Sequence, residues 1–446
     1  MWVRGRARLL AAAMVATGLV IGTMVGDGHA GADRPGGTDR ADRTDPVMDG
    51  GNRDAKDARV GTDAAGSNPG EPSGARPEPT APEPVGVAEP VDALLGYAGS
   101  VRTQRLSYPG ADYVKVHFEK LAVLPGDRVT VADPQRTEVH SYRADPTGKL
   151  LADLPIAYDE SGGFWAMSVT GDTAVVTLES ARREADLGAV TGLMTRYGVT
   201  IDKVTRGFVP SDDPPPAAPG GEESTCGDDD SEDAVCYESE YPTEYARSRP
   251  VARLLINGRS LCTAWRIGPN NRMLTNNHCL RDSAAAQNTE VWFDYQCVAC
   301  GDRRVTTPVK VTGAEVLATN RNLDFTLFTV GGFTRIKKFG YLLLDNRQVD
   351  AGEEVYIPQH PGGDPKQISL YSDEDDGGDC VIDEPSYPGY SDGSDASYYC
   401  DTRAGSSGSP VLSRTTHRVI ALHHFGGCPN SGVRADLIHE AIGDQI

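Results

Sequence analysis

The chain has 446 residues, room for two to four domains, and 43 Lys plus Arg against 64 Asp plus Glu give it a formal charge of −21. So acidic a chain repels phosphate backbones, which argues against nucleic acid as a partner. Hydrophobic residues make up 39% beside 50 Gly and 30 Pro, too polar a mixture for one continuous core over the whole length.

Arg4, Arg6 and Arg8 precede an uncharged apolar run from Leu9 to Val25, and Gly28-His29-Ala30 puts small residues where a signal peptidase cuts. The pattern predicts a cleaved secretory signal over residues 1–30. The rival, a membrane anchor, has only about 17 apolar residues, the short limit for a bilayer span. A secreted, extracellular protein with no stable membrane anchor is therefore expected. Residues 31–90 contain no Phe, Trp or Tyr, and seven prolines fall between Gly66 and Pro90. Such a segment cannot bury enough apolar surface to offset its ordering entropy and reads as a disordered linker.

Order is predicted from Val91. Val114, Val116 and Phe118 alternate with Lys115, His117 and Glu119, the period of a half-buried strand. Val129 and Val131 repeat the pattern after the turn Pro125-Gly126-Asp127, and residues 163–169 and 174–178 predict two more strands. Short strands with turn signals predict an antiparallel β-sandwich over 91–208, an accessory or pro-domain, with His117 and His140 on its surface. A short helix and a strand ending at Phe208 close it. Residues 209–225, with Pro214, Pro215 and Pro216 in a row, read as a second linker. Residues 226–446 then suit one large all-β domain.

Seven of the nine cysteines lie between Cys262 and Cys428, which points to an oxidising compartment, and the odd count leaves at least one thiol unpaired in a monomer. Three stretches in this region carry chemistry. His278 ends an apolar run in Thr275-Asn-Asn-His-Cys279, beside a cysteine. Asp324 sits inside the apolar run Leu323-Asp-Phe-Thr-Leu-Phe-Thr-Val330, where a carboxylate is costly unless it is paired. Ser407 lies in Gly405-Ser-Ser-Gly-Ser-Pro410, whose glycines permit a sharp turn that converges the N–H groups of Gly405 and Ser407 on one point, as an oxyanion hole requires. The order His, Asp, Ser along the chain is one that serine triads take. Ser407 then reads as nucleophile, His278 as the base that takes its proton, and Asp324 as the group that orients the imidazole. Acidic runs at 228–230 and 373–376 lack the spacing of a calcium loop, and Cys297-Val-Ala-Cys300 has no second pair to complete a zinc site. No metal and no cofactor is needed for this chemistry.

These three stretches resemble the signatures of trypsin/chymotrypsin-like serine peptidases, and the likeness runs from about Arg247 to the C-terminus. The form Gly-x-Ser-Gly-Ser-Pro is more similar to the secreted bacterial lysyl and glutamyl endopeptidases. The resemblance implies two packed six-stranded β-barrels with the triad between them, and protein or peptide substrates hydrolysed by a monomer. It implies a Cys262–Cys279 disulfide around the catalytic His. Cys400–Cys428 and Cys226–Cys236 are also expected, with Cys297, Cys300 and Cys380 left unassigned. Asp401, six residues before Ser407, matches the Asp with which trypsin-like enzymes bind Arg or Lys, whereas Thr402 and His424 match positions that hold an acidic side chain in glutamyl endopeptidases. Ser406 stands where trypsin-like zymogens carry an Asp that pairs with a freed amine, so no such activation is expected. The competing class is a secreted binding protein on an inactive peptidase fold. Loss of a triad member marks such proteins, and all three residues are present here.

Overall fold

A computed structural model describes residues 85–97, 101–143, 163–180, 197–207 and 225–446. The signal, nearly all of the first linker, the short helix after residue 182 and all but the last residue of the Pro-rich linker lie outside the described residues.

The first part is a sandwich of two antiparallel sheets. One holds β1 (Gly86–Leu95), β3 (Tyr113–Ala122), β6 (Phe164–Trp165), β7 (Val169–Thr170) and β9 (Gly198–Gly207). The other holds β2 (Thr103–Ser107), β4 (Arg128–Ala132), β5 (Val139–Tyr142) and β8 (Thr173–Glu179). Val114, Val116, Phe118, Val129, Val131, Val176, Val199 and Ile201 meet between the sheets. The sandwich begins five residues before the expected Val91, because Gly86 to Pro90 pair with β9 from Gly207 to Lys203. His117, expected on the surface, is buried against Trp165 and hydrogen-bonded to Asp202.

The second part contains β10 (Glu232–Asp233), β11 (Val251–Ile256), β12 (Ser260–Arg266), β13 (Met273–Thr275), β14 (Thr289–Phe293), β15 (Val309–Asn320) and β16 (Phe325–Val330). It continues with β17 (Val355–Gln359), β18 (Gln367–Ser369), β19 (Asp395–Tyr398), β20 (Pro410–Ser413), β21 (Val419–Phe425) and β22 (Asn430–Arg434). Strands β11-β12-β13-β16-β15-β14 close into a barrel. Its strands read as unbroken buried runs, as in Val251-Ala-Arg-Leu-Leu-Ile256, because one face fills the barrel and the other is covered by neighbours. The remaining seven strands form one sheet in the order β10-β18-β17-β20-β21-β22-β19. The ladder does not close as the expected second six-stranded barrel. Val381 and Ile382 contribute only single bridges, to Glu354 and Tyr398, and Asp383 and Pro385 follow at once, residues that keep a strand short.

The sandwich is seated on the barrel. The β11–β12 hairpin turns at Asn257 and Gly258, both at positive φ, and the Gly258 carbonyl accepts the Tyr113 hydroxyl at 2.8 Å. Beside it Glu290 of β14 is wholly buried and saturated with donors. It takes Lys115 Nζ, the Ser168 N–H at 2.7 Å, the Ser168 hydroxyl at 2.8 Å and the Trp292 indole N–H at 2.7 Å. Lys310 lies 2.7 Å from Glu138 and 4.0 Å from the centre of the Trp292 ring. Burial works against the Glu290 charge, but Lys115 and Lys310 hold its carboxyl down at about 2. A carboxyl held below its unfolded value stabilises the fold above the unfolded value, and that contribution is lost as pH falls toward the folded one. Glu290→Gln is therefore expected to destabilise the protein by about 3–5 kcal/mol at pH 7, since it strands a buried lysine. The gap to wild type should narrow as pH drops from 5 to 2, measured by denaturant unfolding; a gap independent of pH would contradict this.

Candidate active site

His278 and Asp324 are placed by adjoining strands of the closed barrel. β13 delivers the chain to Asn276-Asn277-His278, and β16 begins one residue after Asp324, with Leu274 paired to Leu327 and Thr275 to Thr326. Asn276 donates its side-chain amide to the Asp324 carbonyl at 2.9 Å. Asp324 has φ of 43°, a conformation that non-glycine residues seldom take, and tertiary contacts hold it there. Its Oδ1 accepts the His278 backbone N–H at 2.9 Å and its Oδ2 accepts His278 Nδ1–H at 2.7 Å. One carboxylate thus fixes both the backbone and the ring of His278. Burial opposes the Asp324 charge, yet His278 and then His424 hold its carboxyl far below the usual range.

Ser407 arrives from the other sheet, in the turn that precedes β20. Its backbone carbonyl accepts the Thr263 N–H at 2.8 Å. Thr263 adjoins Cys262, and Cys262 is bridged to Cys279, the neighbour of His278. The serine turn and the histidine are therefore tied to adjacent residues of β12. Gly405 (φ 99°) and Gly408 (φ 90°) shape the turn, and a Cβ on Gly408 would lie 2.1 Å from the Thr263 carbonyl oxygen, so only glycine fits. The Gly405 carbonyl accepts the Thr263 hydroxyl at 2.9 Å, which sets the backbone on which Gly405 and Ser407 N–H groups are expected to serve. His278 lies close to the sulfurs of Cys262 and Cys279, but the disulfide removes the thiolates that a metal would take.

Two residues expected in a specificity pocket are occupied otherwise. The buried Asp401 carboxylate accepts the Cys226 N–H at 2.8 Å on Oδ1 and the Asp230 N–H at 2.7 Å on Oδ2. Burial pushes its carboxyl up to about 6 in spite of these bonds. His424 lies between Asp324 (Nδ1···Oδ2, 3.2 Å) and Asp395 (Nε2···Oδ2, 2.7 Å). A histidine held by two carboxylates is no receptor for an acidic substrate side chain. Thr402 is buried, and its hydroxyl has no hydrogen-bond partner among the described residues. Asp395 was not singled out in the sequence; it stands among serines in Ser394-Asp-Ala-Ser-Tyr398, and its burial shows only once β19 is placed in the sheet.

Two of the expected disulfides are corrected. Cys226 pairs with Cys428, because Asp401 draws residues 226–230 alongside the end of β21. Cys236 pairs with Cys300, in a loop whose Gly301 N–H bonds Asp233, and Cys400 pairs with Cys380. For Cys226 and Cys236 a partner ten residues away lost to partners 202 and 64 residues away that the fold brings together, whereas Cys400 takes a partner 20 residues before it. Cys297 is the free thiol, and burial, reinforced by Asp233, pushes it up to about 12, so it stays protonated.

Residues 262–422 match the trypsin-like peptidase domain family. Secreted RxLR effector protein 73 of Plasmopara viticola is 31% identical over 354 residues, covering 73% of this chain and 77% of that protein. Uncharacterized protein y4fB of Sinorhizobium fredii (strain NBRC 101917 / NGR234) is 31% identical over 179 residues, 37% of this chain and 25% of that protein. Among solved structures, a Glu endopeptidase in complex with MPD is similar at 20% identity and TM-score 0.37, over 49% of this chain and 97% of that one. The Rv3671c protease in an inactive form is similar at 16% identity and TM-score 0.33, over 47% and 94%. The buried His–Asp pair and the serine turn fall inside the matched segment, and this part of the chain belongs to the trypsin-like peptidase domain family.

Proposed function

We propose that the protein is a secreted serine endopeptidase that cleaves peptide bonds through an acyl-enzyme. The Ser407 hydroxyl attacks the scissile carbonyl while His278 Nε2 takes its proton. The N–H groups of Gly405 and Ser407 receive the oxyanion. His278 then protonates the leaving amine, and water, activated by the same ring, releases the acyl group. Asp324 holds the tautomer that leaves Nε2 free to accept a proton. The observation that carries this reading is the double grip of Asp324 on His278, 2.7 Å to the ring and 2.9 Å to the backbone. Secretion is supported by four disulfides and by the secreted relative; among the described residues no helix is long and apolar enough to cross a membrane.

Both oxygens of Asp401 are taken up by backbone N–H groups, which argues against its reaching a basic side chain and so against an Arg/Lys preference. In a panel of fluorogenic peptides differing only in the residue before the bond, Arg and Lys substrates are expected to be cut no faster than Ala ones. A tenfold Arg/Lys preference that Asp401→Asn removes would return Asp401 to the pocket. The activity itself is tested by digesting casein and reading new termini by mass spectrometry. The wild type should generate them and Ser407→Ala should not; an intact substrate would favour the inactive binding protein.

A further inference from the structure

Behind Asp324 lies a second histidine–carboxylate pair that the triad does not include. His424 and Asp395 are both fully buried, 1% and 0% exposed at their side chains. The two ring nitrogens of His424 each face a carboxylate oxygen, Asp324 Oδ2 at 3.2 Å and Asp395 Oδ2 at 2.7 Å. A neutral imidazole carries one N–H and would turn a lone pair toward one of these carboxylates; only the imidazolium satisfies both. Asp395 is itself anchored by the hydroxyls of Ser394 and Ser431, each at 2.9 Å. The result is an unbroken row, His278–Asp324–His424–Asp395, in which Asp324 Oδ2 receives an N–H from each histidine.

Building on the triad reading, we infer that His424, protonated on both nitrogens and seated on Asp395, is a positioning residue for catalysis: it aims the Asp324 carboxylate and balances its charge, so that His278 rests ready to accept the proton of Ser407. An unbalanced Asp324 in this buried site would instead favour the imidazolium form of His278 and leave it unable to act as a base. The groups that face His424 are Asp324 from the start of β16, Asp395 from β19, Ser431 from β22 through Asp395, the Tyr390 ring at 5.8 Å, its neighbour His423, and His278 across Asp324. Burial alone would lower His424, but Asp395 and the bonds to both carboxylates hold it up at about 9, and its charge in turn helps press buried His423 down to about 3. His423 instead takes the Tyr398 hydroxyl at 2.7 Å.

The pH dependence of kcat/KM tests this. Its acid limb reports loss of the free base. Removing a positive charge beside the Asp324–His278 pair should move the limb of His424→Gln to higher pH by about one unit, so that kcat/KM at pH below the limb, relative to its plateau, falls about tenfold. A purely structural role would lower the plateau and leave the limb where it is, and that result would overturn the proposal. A second measurement needs neither turnover nor a variant that folds. Nitrogen NMR of wild-type imidazoles should show His424 with protons on both ring nitrogens from pH 5 to 8; a single proton at pH 7 would sink the idea. Because that spectrum is independent of hydrolysis, it separates this inference from the peptidase reading, which stands or falls with Ser407→Ala.

Discussion

Ser407→Ala is expected to reduce turnover of a peptide substrate by about 10⁶-fold while leaving the protein folded. The bond that seats the serine turn on β12 is made by the Ser407 backbone carbonyl to the Thr263 N–H, and alanine keeps it. The glycines at 405 and 408 hold the turn whatever side chain stands between them. Substrate binding and the oxyanion donors survive, so a residual rate above that of water, by about 10³–10⁴-fold, is anticipated. Steady-state kinetics with an unfolding curve on the same sample checks both halves. Activity above about a tenth of the wild type would remove Ser407 from the mechanism.

Asp324→Asn should come next, with a loss on the order of 10⁴ in kcat and little change in KM. The reason lies in the donors around the carboxylate. Oδ2 receives N–H groups from His278 and His424, and Oδ1 receives the backbone N–H of His278. An asparagine amide placed on either side sets its own NH₂ against at least one of them. The His278 ring then loses the partner that keeps its proton on Nδ1, and the tautomer with Nε2 ready to accept is no longer favoured. Rate measurements on the purified variant check this; a fall of less than tenfold would mean that Asp324 is a structural carboxylate.

How much of this was legible in the sequence follows from the range of the contacts involved. His278, Asp324 and the serine turn each sit in a short segment whose residue types are unusual for their place: a His at a strand end, an Asp in an apolar run, glycines flanking a serine. Such signals are local and could be read. The period of two in Val114-Lys-Val-His-Phe118 likewise foretold a strand of the sandwich. What could not be read depends on distant pairing. Cys226 lies 202 residues from Cys428, and nothing near either residue specifies the other. Asp401 has the right spacing from Ser407 for a pocket residue, but its direction is set by the N–H groups of Cys226 and Asp230, far away in the chain. His424 was visible as a histidine in a strand; its meeting with Asp395 needed the β21–β22–β19 ladder, and its meeting with Asp324 needed that sheet to come against the closed barrel at the start of β16. The pairing at Val381–Ile382 is a further case, where an acidic pair and a proline follow at once and only single bridges form.

The central claim, that Ser407 is a nucleophile activated by His278, is tested most directly by a fluorophosphonate probe followed by peptide mapping. Phosphonylation needs an activated hydroxyl but no knowledge of the natural substrate. The account predicts one covalent adduct, on Ser407, formed at neutral pH and absent from His278→Ala. A folded wild-type protein that takes no label, or takes it on another residue, would contradict it.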